Sequence, residues 1–416
     1  MNTAVAEWGT TRKWLCLATV LLGAVASSLL QTFLTVSLPT ITTELDAVAW
    51  YGWVNGLYLA AATLAIPPWA ILSDRVGPRV VLITGMALWA LGALAVSFAD
   101  SAAWLLGART VQGIGSAAAV PASFAAITAV YQSRYGRLIG LVSAVQATAT
   151  LAGGPLGGWL GTWFGWRTSM QLVAIVAAVP VVVGWFVLPD KANEPPQAKT
   201  PRLLRAPAAQ RAVAQTMLLA VVAFGVATYL PLLLQSQFGL DLAHTAVSAT
   251  PALLGVAIGS AIGGSMSDQR DTTVAAWLIV VAGLLLAWVP SVAAATIGSA
   301  LAAAGVGVGL PSQLIAIERV ATSAHAAKAA GLIQAARNIG GALGVALLGI
   351  PLQFNAAPQA GTRYAFAAML SLALIASAVS AITGNARTDN GTRSTGPGSP
   401  TPGTDAERAA KPPHRP

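Results

Sequence analysis

Long uncharged runs of mostly apolar residues constrain this chain more than any other feature. Only 9% of the 416 residues are charged and 56% are hydrophobic, whereas a soluble domain carries about 25% charged residues. A helix needs roughly 20 mostly apolar residues to cross a bilayer. We therefore expect an all-α polytopic membrane protein whose main surroundings are lipid.

The runs predict twelve transmembrane helices. Two runs are each interrupted by one arginine, Arg109 or Arg337, and the 46-residue run 272–317 is long enough for two helices separated at Pro290-Ser291. The first run is too long for a signal peptide, and no clear cleavage site follows it. The uninterrupted single runs are 14–43, 47–73, 80–99, 138–166, 168–189, 212–240, 242–267 and 364–386, and the interrupted ones are 101–133 and 329–362.

Lys and Arg predict the orientation, because cytoplasmic loops carry an excess of both. They concentrate in alternate loops, and the opposite loops hold only Arg167 and Arg363. We therefore expect a protein of the cell (inner or plasma) membrane with both termini in the cytoplasm. The net charge of +9 then follows from topology and predicts no nucleic-acid partner. The predicted divisions are a cytoplasmic N-terminus (1–13), an N-terminal six-helix bundle (14–189), a cytoplasmic central loop (190–211), a C-terminal six-helix bundle (212–386) and a disordered cytoplasmic tail (387–416).

The two bundles are expected to be repeats. Asp74 and Asp268 follow the second and eighth spans and are 194 residues apart, and Gly113 matches Gly307 at the same offset. Chance similarity between Gly-rich segments is the alternative. Two repeats related by an axis along the membrane normal are a known transporter plan.

A charged loop, "AILSDRVGPR", separates the second and third spans. Asp74 can bond the first amides of the next helix or pair with Arg75 or Arg79. The loop resembles a motif of the major facilitator superfamily, with Asp74, Arg75, Gly77 and Arg79 in register and Ala70 in place of a glycine. The resemblance implies a loop that steadies the outward-facing state, and we expect Asp74 and Arg79 to form its latch.

The fourth span contains "RTVQGIGSA", which resembles another motif of that superfamily through Arg109, Gln112, Gly113 and Gly115. An arginine inside a span is costly and generally faces a cavity or a partner. The alternative is an arginine that snorkels to the outer interface. The resemblance implies that Arg109 serves proton coupling and substrate binding.

The fifth span contains "GGPLGG", which resembles the antiporter motif of the superfamily. Proline bends a helix and frees a carbonyl, and glycines permit close helix contact. We expect a hinge where this span slides against a glycine face of span eight; ordinary small-residue packing is the alternative. The predicted hinge and packing residues are Gly154, Pro155, Gly158, Gly255, Gly259 and Gly263.

Three further segments narrow the resemblance to the drug:proton antiporters (multidrug or antibiotic efflux) that have fourteen spans. They are "QTFLTVSLPTI", "GWR" and "ARNIGGALGVALLG". The two extra central spans are absent here, and the span-one aspartate is Leu30. Proton coupling is therefore implied by resemblance, whereas no acid lies deep in a span. Asp74, Glu318 or the substrate's own charge are the remaining carriers.

Polar residues within the spans are the candidates for a cavity, although each alone is more often a helix–helix hydrogen bond. Arg109 and Arg337 favour a neutral or anionic substrate over a strongly cationic one. The predicted coupling or substrate-binding set is Arg109, Gln112, Gln31, Thr32, Asn55, Tyr58, Gln146, Tyr229, Gln334 and Arg337.

We therefore expect a monomeric secondary active transporter that exports a small, partly apolar drug or antibiotic by alternating access, in exchange for protons. The alternatives are an importer or facilitator of a small metabolite on the same fold, and a membrane sensor that does not transport. With three histidines, one cysteine, no intramembrane carboxylate pair and no P-loop, we expect neither an enzyme nor a metal or cofactor site.

Overall fold

The computed structural model describes residues 8–131, 135–190, 206–267, 272–318, 326–354 and 358–393. Within them the regular structure is helical. The helices are α1 (Thr10–Glu44), α2 (Tyr51–Val76), α3 (Pro78–Ser97), α4 (Ala102–Ala117), α5 (Ala119–Val130), α6 (Tyr135–Val187), α7 (Pro207–Phe238), α8 (Leu242–Ser267), α9 (Thr273–Ala287), α10 (Val292–Glu318), α11 (Ala326–Leu348), α12 (Ile350–Phe354) and α13 (Pro358–Arg393), with a 3-10 turn at Val48–Trp50.

Ten stretches among the described residues are long and apolar enough to cross a membrane. One of them, within α6, is divided by Gly165, whose φ of 75° and ψ of 159° are not helical. The apolar helix α9 is shorter than the others. The all-α polytopic fold is thus confirmed, and the count of twelve spans stays a prediction.

Local sequence accounts for several helix ends. Gly77, with a φ of 88°, ends α2, and Pro78 occupies the first position of α3, where a missing N–H costs nothing. Gly239 ends α7 in the left-handed conformation, with a φ of 66°. Pro121 removes the N–H that would bond the carbonyl of Ala117, and α4 gives way to α5 at that level.

Two predicted boundaries differ from the structure. Helix α7 begins at Pro207, inside the predicted central loop, because proline suits the first helical turn. Helix α13 runs to Arg393, seven residues into the predicted tail, since no proline interrupts the sequence before Pro397. Most of the predicted loop, 191–205, and of the tail, 394–416, lies outside the described residues.

The packing of α4 in the N-terminal half is repeated by α10 in the C-terminal half. A Cβ on Gly113 of α4 would collide with the carbonyl of Tyr58 in α2, and one on Gly307 of α10 would collide with the carbonyl of Val256 in α8. The matched glycines therefore sit at equivalent helix contacts, which supports the predicted repeat. Asp268 lies outside the described residues.

The glycine face of α8 packs on α10, so the prediction that it meets span five is wrong. A Cβ on Gly255, Gly259 or Gly263 would collide with the carbonyl oxygens of Ala300, Ala304 and Val308, respectively. A four-residue repeat of glycines marks a helix face that another backbone approaches closely. It carries no information about which helix that is.

Hydrogen bonds join the two halves at one side of the molecule. We call the helix ends beside residues 45–50 and 239–241 the outer ends, and those beside the Asp74 loop the inner ends, after the predicted orientation. The Tyr51 hydroxyl of α2 donates to the carbonyl of Thr228 in α7 at 2.6 Å. Gln235 of α7 donates to the carbonyl of Val36 in α1 at 3.2 Å. These bonds close the outer ends together.

Candidate substrate-binding site

A cavity of about 370 Å³ lies between the two halves. Its walls come from α1, α2 and α6 on one side and from α7, α8, α10 and α11 on the other, and they are mainly apolar. That volume falls within the range of roughly 300–1,000 Å³ typical of small-molecule sites. Four residues of the predicted substrate-binding set line it: Gln31, Thr32, Asn55 and Arg337.

Arg109 is buried behind this wall rather than snorkelling, with a relative exposure of 1%. Its Nη2 donates to Asn55 Oδ1 at 3.0 Å and to Gln31 Oε1 at 3.3 Å. Its Nη1 donates to Gln112 Oε1, and its guanidinium lies 4.1 Å from the centre of the Tyr58 ring. Five predicted residues from α1, α2 and α4 thus form one network.

Arg109 determines the orientation of the side-chain amides of Gln31, Asn55 and Gln112. A guanidinium has only donors, so each amide must present its oxygen to Arg109. In Gln112 this leaves the buried Nε2 without a partner among the described residues. In Asn55 the Nδ2 donates across to Thr228 Oγ1 at 3.4 Å. In Gln31 the amide nitrogen has no described partner, so this donor remains available beside the cavity.

Arg337 contrasts with Arg109. Among the described residues that line the cavity it alone is charged. The nearest described interaction of its guanidinium is with the Phe224 ring, whose centre is 5.9 Å away, at the limit of a cation–π contact. Arg337 therefore brings to the cavity a positive charge that no described carboxylate neutralises.

The cavity threonines mostly offer acceptors. The hydroxyls of Thr32, Thr35, Thr150 and Thr250 donate to the carbonyls four residues earlier in their own helices, at 2.8–3.1 Å. A hydroxyl has one proton to donate, so these side chains can only accept hydrogen bonds from a ligand. Thr228 differs, since its hydroxyl accepts from Asn55 and donates to no described residue. The nitrogen donors with no described acceptor at the cavity wall belong to Arg337 and Gln31.

The predicted hinge region of α6 lies against α1 and α8. Gly154 lines the cavity, and a Cβ there would lie 3.6 Å from Thr32 and 3.7 Å from the carbonyl of Ala246. One turn later, a Cβ on Gly158 would collide with the Ala246 side chain. The backbone stays helical at Pro155 and breaks at Gly165.

Three predicted residues lie away from the cavity wall. Tyr229 is buried, and its hydroxyl donates to the carbonyl of Val345 at 2.6 Å. Gln334 is exposed and donates to Asn338 at 3.1 Å. The carbonyl of Gln146 accepts the Thr150 hydroxyl one turn below the cavity. Tyr229 thus contacts a neighbouring helix, Gln334 bonds one turn along its own helix, and none of the three is among the described residues that line the cavity.

The predicted latch between Asp74 and Arg79 is not formed. Asp74 and Arg75 are exposed. Because Pro78 begins α3 at once, Arg79 points to the end of α6, where it pairs with Asp190 at 2.6 Å and donates to the carbonyl of Leu188 at 2.9 Å. The side chain of Glu318, another candidate proton carrier, lies outside the described residues.

The "GWR" segment forms a second polar cluster, at the outer ends. Glu44 accepts hydrogen bonds from the Trp166 indole at 2.6 Å and from the Arg167 guanidinium. Arg167 also donates to the carbonyl of Ala99 at 3.1 Å. The cluster ties α1, α3 and α6 together within the N-terminal half and lies away from the cavity.

Sequence reasoning missed Thr228, Phe224 and Tyr51. Thr228 receives hydrogen bonds from both Tyr51 and Asn55 across the halves, and Phe224 lies beside Arg337. For Tyr51 and Thr228 the available signal was a hydroxyl group within an apolar run. No signal distinguishes Phe224 from the other aromatic residues.

Comparison with known proteins identifies the family. Residues 20–345 match the Major Facilitator Superfamily. A probable multidrug-efflux transporter of Mycobacterium tuberculosis is 30% identical over 195 residues, which is 44% of this chain and 41% of that protein. The tetracenomycin C resistance and export protein of Streptomyces glaucescens is 27% identical over 185 residues, 44% of this chain and 34% of that protein. The chain thus spans well under half the length of these curated relatives.

A solved structure supports the same assignment at the level of the fold. It is a bacterial homologue of the human lysosomal transporter Spinster, in an inward-facing and occupied conformation. The TM-score is 0.79 with 19% sequence identity, over 89% of this chain and 96% of the other. Since the family match covers more than half of the sequence, the chain belongs to the Major Facilitator Superfamily of multi-pass membrane transporters.

Proposed function

We propose that this transporter exports a small, partly apolar drug or antibiotic by alternating access across the cell membrane. The observation that carries the proposal is the cavity, which residues of both halves line. It lies on the inner side of the hydrogen bonds that join the outer ends of the halves. A site between two repeats is where rocking of the halves exposes a ligand to each side in turn.

The geometry corresponds to an inward-facing conformation. All described hydrogen bonds between the halves lie at the outer ends or beside the cavity. At the inner ends Asp74 is exposed and has no described partner. If the charged loop steadies the outward-facing state, as the resemblance implies, its carboxylate is expected to be released in this conformation.

Export is favoured over import by the sequence relatives. Proteins named for multidrug efflux and for tetracenomycin C resistance and export are 30% identical over 195 residues and 27% identical over 185 residues to this chain. The "GGPLGG" segment provides the close approach between α6 and α8 that an antiporter hinge requires. Proton exchange is part of the proposal, and its carrier is not one of the described residues on the cavity wall, since none is a carboxylate.

Growth of a pump-deficient bacterial host on a broad antibiotic panel tests the function. The intact chain is compared with Arg109→Ala and with Arg363→Gln, at equal abundance in the membrane. Arg109 holds Gln31 and Asn55 at the cavity wall, so its loss should return resistance to the level of the host. Arg363 is exposed outside the cavity and serves as the matched arginine control.

Resistance in the Arg109→Ala strain equal to that of the intact protein would remove this residue from the mechanism. Resistance to no compound, together with accumulation of a labelled metabolite by the intact protein, would replace export by import. If the intact protein gives no resistance and no accumulation, the result would favour a membrane sensor that does not transport.

A further inference from the structure

We propose that the cavity selects organic anions, with Arg337 as the counter-ion of an amphipathic carboxylate and the amide nitrogen of Gln31 as its second hydrogen-bond donor. This inference rests on the proposed function for its setting, a transporter cavity. It adds the chemical class of the substrate and the residues that choose it.

The charge of the cavity favours an anion. Arg337 is the charged residue among the described residues of the wall. A buried cation is stable only when it is paired or well hydrogen-bonded. The described contact of the Arg337 guanidinium is with the Phe224 ring, whose centre is 5.9 Å away. Its N–H groups have no described acceptor and are available to a ligand.

None of the described residues on the cavity wall is a carboxylate. The ion pairs of the described residues are Arg79–Asp190, Arg167–Glu44 and His244–Asp241, and all lie at helix ends. Arg109 is buried beside the cavity, and its hydrogen bonds to described residues all go to neutral oxygens. Two guanidinium groups from opposite halves therefore make the site electropositive, which disfavours a cation and favours an acid.

The pattern of hydrogen-bond donors and acceptors at the cavity also suits an acid. Arg109 holds the Gln31 oxygen and thereby leaves the amide nitrogen of Gln31 as a donor. Four cavity threonines, Thr32, Thr35, Thr150 and Thr250, have already donated their protons within their own helices and can only accept. An ionised carboxylate only accepts hydrogen bonds, so the two donors suit it, and the threonines suit hydroxyl or amide groups elsewhere on the molecule.

The apolar walls specify the rest of the substrate. Phe224, Leu230, Leu253 and Leu310 line the cavity, so an aromatic or aliphatic body is buried while its acid group meets Arg337. An anion that leaves a cell with a negative interior also moves down the membrane potential. Export of such a substrate gains driving force without an acidic side chain in the cavity.

Isothermal titration calorimetry on the purified full chain in detergent tests the inference with three probes of one size and different charge: 2-naphthoate, 2-naphthamide and 2-naphthylmethylammonium. A charge-assisted pair with a guanidinium is stronger than a neutral hydrogen bond. We expect the naphthoate to bind at least about ten-fold more tightly than the amide, and the ammonium to bind most weakly.

Variants then assign the preference to residues. Arg337→Gln should bring the naphthoate-to-naphthamide ratio to about one, Arg337→Lys should retain a preference, and Arg363→Gln should leave the ratio unchanged. Gln31→Glu keeps the side-chain shape, can still accept from Arg109, and replaces the free donor with an acceptor. It should lower naphthoate affinity while the amide affinity changes little.

Equal binding of naphthoate and naphthamide, tighter binding of the ammonium, no binding of naphthoate, or a preference that survives Arg337→Gln would each overturn the inference. These outcomes are separate from those of the growth assay. An exporter that prefers the ammonium probe would leave the proposed function standing, and an anion-selective cavity without efflux would leave the inference standing.

Discussion

Tyr51 offers the sharpest test of how the two halves are held closed at their outer ends. Its buried hydroxyl donates to the carbonyl of Thr228, in the other half, at 2.6 Å. Tyr229 makes a bond of the same length to the carbonyl of Val345, within the C-terminal half. The two tyrosines therefore form a matched pair in which one hydroxyl crosses the halves and the other does not.

The magnitude follows from the loss of one hydroxyl group. A neutral hydrogen bond contributes about 1 kcal/mol net, and between membrane helices the average is nearer 0.6 kcal/mol. Since every 1.4 kcal/mol is a factor of ten, Tyr51→Phe should lower the ratio of inward-facing to outward-facing molecules by about three- to five-fold. Tyr229→Phe should change this ratio by less than two-fold, because α7 and α11 belong to the same half.

Electron–electron distance measurements between spin labels can report the ratio. Cys16 is buried and is the single cysteine, so Cys16→Ser gives a background without native labelling sites. Val76 at the inner end of α2 and Met266 at the inner end of α8 are exposed, and cysteines there place one label in each half. The inward-facing state should give the longer distance.

Equal ratios for the two phenylalanine variants would refute the role assigned to the bond between Tyr51 and Thr228. A shift towards the inward-facing state in Tyr51→Phe would refute it as well.

Glycine contacts provide the remaining predictions. Gly158→Ala should reduce efflux several-fold because the added Cβ would collide with α8. Gly154→Ala should retain most of the efflux, since its Cβ would meet only ordinary contacts of 3.6–3.7 Å. Similar efflux from the two variants would contradict a close contact between α6 and α8 at Gly158. Gly259→Ala should destabilise the folded protein by about 1–3 kcal/mol through overpacking against α10, as measured by its thermal unfolding in detergent. Gly264, which has open space around its Cβ position, is the control, and equal stability of Gly259→Ala and Gly264→Ala would argue against the α8–α10 contact.

Several features of the site were predictable from the sequence because a polar group in an apolar run must find a partner. Arg109, Gln112, Asn55 and Tyr58 stood out on this ground, and the structure brings them together with Gln31. The same reasoning chose Tyr229 and Gln334, which lie away from the cavity. A polar residue in an apolar run indicates that a hydrogen-bond partner is required. The sequence does not show whether that partner is a ligand or a backbone carbonyl, such as that of Val345 for Tyr229.

The class of the protein, its all-α fold and its likeness to superfamily transporters were determined by the sequence alone, since run length and motif spacing are local properties. The tertiary structure alone decided the partners. It placed the glycine face of α8 on α10 and paired Arg79 with Asp190. It also left Arg337 at the cavity with no carboxylate partner among the described residues. The physical reason is that lipid and protein interior are both apolar. Hydrophobic pattern therefore marks where a membrane helix begins and ends, but not which of its faces meets a neighbour.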